Sequence, residues 1–293
     1  IEAPVRGWRS HATVFGFVTA AALALAFVTI EQAAHHPMLD ITLFADRRFS
    51  AASASVTVTF FCLAGFIFLI TQYFQVLRGF SPLDTGLRIL PVALSIAIGS
   101  ICGGLLAPRI GTRTVVVSGL ISFGTAMAWI AGSIDTDTPY PTIIVPQMLL
   151  MGLGIGLVST PATESIMLVL PPSRAGIGSA VNDATRELGS TLGVAVVGSL
   201  FSSIFGARLI DSASALTGRA SEAADSVQVA FAMTTNNPAL VTAANQSFLA
   251  GLAAACTLLA GLCYLAAAVG VAALPGRRFK PPLAETGAAL TNR

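Results

Sequence analysis

The sequence predicts an all-α integral membrane protein with seven transmembrane helices. Three observations lead there. Of 293 residues, 16 are basic and 14 acidic, so 10% are charged, against roughly 25% in an average soluble domain. Hydrophobic residues make up 54% of the chain and the mean hydropathy is +0.79. The apolar residues also fall into windows of the length a bilayer demands, about 20 residues each. So few charges cannot cover the surface of a soluble fold. Disorder needs low hydrophobicity and high net charge, and the net charge here is +2. Nucleic-acid binding has no basic patch to rest on.

Seven windows qualify: His11–Ile30, Phe49–Leu77, Asp84–Ala107, Thr114–Ser133, Thr142–Leu170, Ala175–Leu209 and Phe248–Leu274. The first is joined to the second by a polar link, His35 to Arg48, and reads as a linker helix. The chain opens at Ile1 with a stretch that reads as a connection, as expected of a piece of a longer protein. The third window is announced by Ser81-Pro82-Leu83-Asp84. That is a capping box with proline at the first helical position. The run Pro108 to Thr112 separates the third window from the fourth, and Pro171-Pro172 closes the fifth. The segment 211–246 is rich in Ala, Ser, Thr and Asn. It is too polar to span, with room for one short amphipathic helix around Asp225 to Met233. Residues 276–293 form a basic, unstructured tail. The expected domains are thus 1–48, a linker helix and link, and 49–275, a six-helix unit.

Arginine and lysine set the orientation. Alternate loops hold nine of them on one side (Arg47, Arg48, Arg109, Arg113, Arg174, Arg277, Arg278, Lys280, Arg293) and five on the other (Arg6, Arg9, Arg78, Arg208, Arg219). The richer side is expected to be cytoplasmic. The N-terminus of this chain is then outside, the C-terminus inside, and segment 211–246 outside.

Charges inside a bilayer are costly and are usually paired or functional. Glu164 lies in the fifth window; Asp183, Arg186 and Glu187 lie in the sixth. From the cytoplasmic side Asp183 is roughly 12 Å deep, Arg186 about 16 Å, Glu187 about 18 Å and Glu164 about 9 Å, at 1.5 Å per helical residue. The four are expected to meet at similar depth. Asp183 and Glu187 share a helix face. Asn182, Arg186, Gly189 and Gly193 form a second stripe, and Gly189 with Gly193 makes a G-x-x-x-G step that lets another helix approach. Two readings stay open for the carboxylates. Desolvation favours the protonated form and a nearby cation the ionised form, a balance suited to loading and releasing a proton. Alternatively, Arg186 neutralises Glu164 or Glu187 in a fixed pair that pins two helices together. Gln72, Tyr73 and Gln75 end the second window and either line a substrate route or meet the membrane interface. Gln147, Ser159 and Thr160, on the fifth, carry the same two readings, and Asn182 on the sixth is expected on the substrate route as well. The fourth and seventh windows have few polar groups and are expected to face lipid.

Other chemistry is not encoded. Gly152-Leu-Gly154-Ile-Gly156 lies within an apolar helix with no strand before it, so it reads as packing rather than a nucleotide loop. Cys62, Cys102, Cys256 and Cys263 sit in apolar runs without metal-ligand spacing and read as small core residues. His35 and His36 have no further ligands. The sequence carries no Walker motif and no catalytic constellation, so no enzyme activity, cofactor or metal is expected.

Several stretches together resemble the fourteen-span drug/proton antiporters of the major facilitator superfamily. They are Pro37 to Phe44 with Arg48-Phe49, Tyr73-Phe-Gln75, Gly79-Phe-Ser-Pro82, Gly86 to Pro91, and Gly111-Thr-Arg113. The most specific runs from Ala175 through Asn182, Asp183, Arg186 and Glu187 to Gly189, with Gly193. The resemblance implies that the first helix is a linker helix and that the next six are the C-terminal bundle of the fold. It places the second and fifth helices at the cavity, the third and sixth against the other half, and the fourth and seventh outside. It also implies export of lipophilic, often cationic, compounds in exchange for protons across a bacterial cytoplasmic membrane. The partners implied are lipid, a small-molecule substrate, protons and an N-terminal half of the same transporter. Two alternatives remain: an exporter of one endogenous metabolite or lipid, and a non-transporting membrane binding or scaffold module.

Overall fold

A computed structural model describes residues 10–33, 44–168, 175–213, 227, 231 and 238–274. The described residues form seven long helices and no strand: α1 (His11–Ala33), α2 (Arg47–Gln72), α3 (Pro82–Ile110), α4 (Thr112–Ser133), α5 (Val145–Met167), α6 (Ala175–Ala213) and α7 (Pro238–Ala273). All seven are long and apolar enough to cross a membrane. Helices answer the bilayer's central demand, because each backbone N–H and C=O finds its partner within the segment. The hydroxyls obey the same rule. Ser55, Thr57 and Thr59 of α2 donate to the carbonyls of Ala51, Ser53 and Ser55, at 2.8, 2.9 and 2.7 Å.

Helices α3, α5, α2 and α6 pack side by side in a row, with α4 and α7 behind them. Helix α1 buries only Glu31, so its apolar side chains are left for lipid. Close approach between helices comes from small residues. A Cβ on Gly154 would lie 2.6 Å from the Gly119 carbonyl oxygen of α4, and one on Gly152 2.6 Å from the Val92 carbonyl oxygen of α3. The glycine run of α5 is therefore the slot into which two neighbours fit. Phenylalanines fill the space at the back: Phe66, Phe123, Phe201, Phe205 and Phe248 are all fully buried. The cysteines are free thiols, and Cys62 of α2 and Cys263 of α7 touch in that core with their sulfurs 3.6 Å apart.

Three features differ from expectation. Helix α7 begins at Pro238, ten residues before Phe248, so part of segment 211–246 belongs to it. Polarity around Asn245 and Gln246 hides this start; Pro at the first turn and a run of good helix formers carry it. Helix α3 runs through Pro108 to Ile110 and stops at Gly111, whose φ of 94° only glycine adopts without strain. The most open helix of the six is α3, not α4 or α7. Buried residues make up 22% of its apolar window, against 50% in α4. A lack of polar groups marks α4 as apolar, but it packs between α5 and α7. The link 34–43, the tail beyond 274 and nearly all of Asp225 to Met233 lie outside the described residues.

Candidate functional site

The open side of the row carries a groove of about 650 Å³ between α2 and α6. Phe60, Ile67 and Phe68 form much of its apolar wall, Gln72 and Gln75 its polar end, and Ser190 and Val194 the α6 edge. Gln75 belongs to a π-helical turn, Tyr73–Leu77, that follows α2 directly; Arg78 N–H closes it onto the Tyr73 carbonyl at 3.0 Å. Such a turn rotates the residues after it relative to a continued α-helix. It sends Gln75 to the exposed side while Tyr73 and Phe74 stay buried.

Of the residues singled out above, Gln72 and Gln75 line this groove. Tyr73 does not. It is fully buried, and its hydroxyl donates to the Asp135 carbonyl at 2.8 Å. Gln147 is also buried, its Nε2 donating to Ser133 Oγ at 2.7 Å, which ties α5 to the end of α4. Ser159 donates to the Ile155 carbonyl of its own helix at 2.9 Å. Thr160 faces α3, close to Gly104.

Helix α6 presents two faces about 100° apart, the angle from one helical residue to the next. On the first, Gly189 and Gly193 lie against α2. A Cβ at either would collide with a backbone carbonyl oxygen, that of Thr57 or Phe61. Asn182 and Arg186 share this side. Thr163 of α5 donates to Asn182 Oδ1 at 3.1 Å, and Arg186 Nη2 lies 3.4 Å from the Thr163 hydroxyl. The guanidinium carbon sits over the Phe60 ring, 4.9 Å from its centre. Arg186 Nε is buried without a hydrogen-bond partner.

The second face carries Asp183 and Glu187, both exposed. They continue in 4-3-4 spacing into Ser190 and Val194, the α6 edge of the groove. The expected meeting of these carboxylates with Arg186 is not what the fold builds. Among the described residues Arg186 has no carboxylate within 4.0 Å; Arg88 and Asp84 of α3 form an ion pair with each other, at 3.6 Å. Similar depth is not similar direction: Glu164 is exposed on α5, and Thr163 beside it turns to α6 instead. Sequence reasoning missed Thr163 and Phe60. Nothing in their local sequence marks them; only the approach of α5 and α2 to α6 does.

The family model of the Major Facilitator Superfamily matches residues 3–194. The chain belongs to that superfamily. It is thus a multi-pass membrane protein of a transporter family, and not an enzyme. Among curated superfamily relatives, the multidrug resistance protein Stp of Mycobacterium tuberculosis is 36% identical over 71% of this chain and 38% of its own length. The multidrug efflux pump LfrA of Mycolicibacterium smegmatis is 29% identical over 90% of this chain and 53% of its own. The tetracenomycin C resistance and export protein of Streptomyces glaucescens is 30% identical over 70% and 38%. The matched regions therefore span about two-fifths to half of these relatives.

Proposed function

We propose that this chain is the C-terminal half of a fourteen-span drug/proton antiporter in a bacterial cytoplasmic membrane. Helix α1 is the linker helix and α2 to α7 are the six-helix half. The open face of the row, α3-α5-α2-α6, turns toward the N-terminal half of the same transporter, and the groove on it is part of the substrate route. The names of the relatives support drug export. The excess of arginine and lysine on one side supports a cytoplasmic C-terminus and an outward N-terminus of this chain.

The observation that carries the coupling role is the acidic face of α6. Asp183 and Glu187 are exposed, lack an ion pair, and run in line with the groove edge at Ser190 and Val194. Carboxylates placed so can exchange protons when a ligand fills the groove, because the ligand removes water from them and favours their neutral form. A cationic ligand acts in the opposite direction, favouring the ionised form and displacing a proton. Either way, ligand and proton occupancy are linked. Arg186 holds the α5–α6 seam, with Glu164 a third carboxylate nearer the end of α5. Asp183→Asn and Glu187→Gln in the full-length transporter are expected to abolish pH-gradient-driven efflux at normal expression. Unchanged efflux in both variants would remove the coupling role.

A further inference from the structure

The groove lining holds amides, hydroxyls and apolar side chains, but no charged group. Arg186 lies over Phe60, an aromatic ring of the groove wall. Cations bind aromatic faces through the ring quadrupole, and one face accepts one cation. A lipophilic cation entering the groove would seek that ring as well. Arg186 is also poorly neutralised where it sits. Among the described residues its Nη2 reaches only the Thr163 hydroxyl, its Nε has no partner, and no carboxylate lies within 4.0 Å. Its charge therefore acts on the groove, in opposition to the attraction of Asp183 and Glu187 on the neighbouring face.

We infer that Arg186 sets the charge selectivity of the groove by occupying the Phe60 ring that a ligand cation would use. This makes Arg186 a specificity determinant and not merely a helix-pinning residue. With Arg186 in place, the groove favours neutral amphipathic molecules, whose carbonyls or amides meet Gln72 and Gln75 while their apolar part meets Phe60 and Phe68. With the arginine neutralised, the ring is free, the two α6 carboxylates dominate, and cations gain.

The inference rests on the groove being a substrate site, so the test separates the two. Binding of tetraphenylphosphonium, a lipophilic cation, and of neutral triphenylphosphine oxide is measured on the purified full-length transporter at one fixed pH. Protection of an Ala64→Cys variant from thiol labelling reports whether each probe occupies the groove. In Arg186→Gln the cation-to-neutral affinity ratio is expected to rise about tenfold, the scale of a lost cation–π competitor of 1–2 kcal/mol. Arg186→Lys keeps the charge and should move the ratio much less. Thr163→Val keeps the arginine but removes an anchor, and should shift the ratio in the same direction by about twofold. This variant serves if Arg186→Gln does not fold. Protection by both probes with an unchanged ratio overturns the inference and leaves the groove standing. No protection by either probe overturns the groove reading, and the inference with it.

Discussion

The two ends of the six-helix bundle treat their polar groups in opposite ways. At the end formed by the α2–α3 turn and the α4–α5 loop, several of them tie one segment to another, while Gln72 and Gln75 stay on the groove. Tyr73 donates to the Asp135 carbonyl, Arg78 to the Thr136 carbonyl, Tyr140 to the Arg88 carbonyl, and Gln147 to Ser133. Arg88 pairs with Asp84 and lies 3.9 Å from the centre of the Phe80 ring. Ser81 caps α3, accepting from Asp84 N–H at 3.1 Å. At the other end, around Gly111 and the start of α6, the polar side chains that join helices are Thr163, Asn182 and Arg186, and Asp183, Glu187 and Glu164 are exposed without an ion pair. At the first end Arg78 ties the α2–α3 turn to the α4–α5 loop and Arg88 pairs within α3. Charges at the second are left available, which is what exchange with protons or ligands requires.

The contrast can be broken most severely at the seam that both ends share. Gly193→Val places a side chain against the Phe61 carbonyl of α2. The helices must separate, at about 3 kcal/mol or more. The expected result is loss of monodisperse protein in size-exclusion chromatography, with both ends failing together. Next comes loss of coupling without loss of fold. In Asp183→Asn with Glu187→Gln, thermal unfolding in detergent should match the parent protein, while pH-gradient-driven efflux disappears.

At the tied end the expectation is reversed and smaller. Tyr73→Phe removes one donor from the Asp135 carbonyl, which keeps its bonds from Thr138, and should cost about 1 kcal/mol of stability or less. Its efflux should keep the parent's pH dependence. A shifted pH profile in Tyr73→Phe would erase the distinction between the ends. The smallest effect concerns the core alone. Copper–phenanthroline oxidation should cross-link Cys62 to Cys263, since their sulfurs are 3.6 Å apart. Proteolysis within 214–237 followed by non-reducing electrophoresis reads this out as two fragments that remain joined. Separated fragments would contradict the packing of α2 on α7.

Much of the fold was legible because lipid imposes a simple rule: a spanning helix must be apolar for its whole crossing. All seven windows match a helix for that reason. The start of α7 was hidden because Asn245 and Gln246 interrupt the apolar run between its first turns and the window that begins at Phe248. At the site, the helical period alone separates Asn182 and Arg186 from Asp183 and Glu187. Which face meets α5 and which opens to the groove depends on where Thr163 and Phe60 arrive, and these lie 23 and 126 residues away from Arg186. Tyr73 and Gln147 show the same limit. A polar residue near a helix end has the same local signature whether it lines a route or ties down a loop.

The central claim is that Asp183 and Glu187 exchange protons with the medium as a ligand binds. It is tested most directly by recording pH in lightly buffered detergent solution as tetraphenylphosphonium is added to the full-length transporter. The parent protein should release protons stoichiometrically, and Asp183→Asn with Glu187→Gln should lose that release while the cation still binds. Equal proton release from that double variant would contradict the claim.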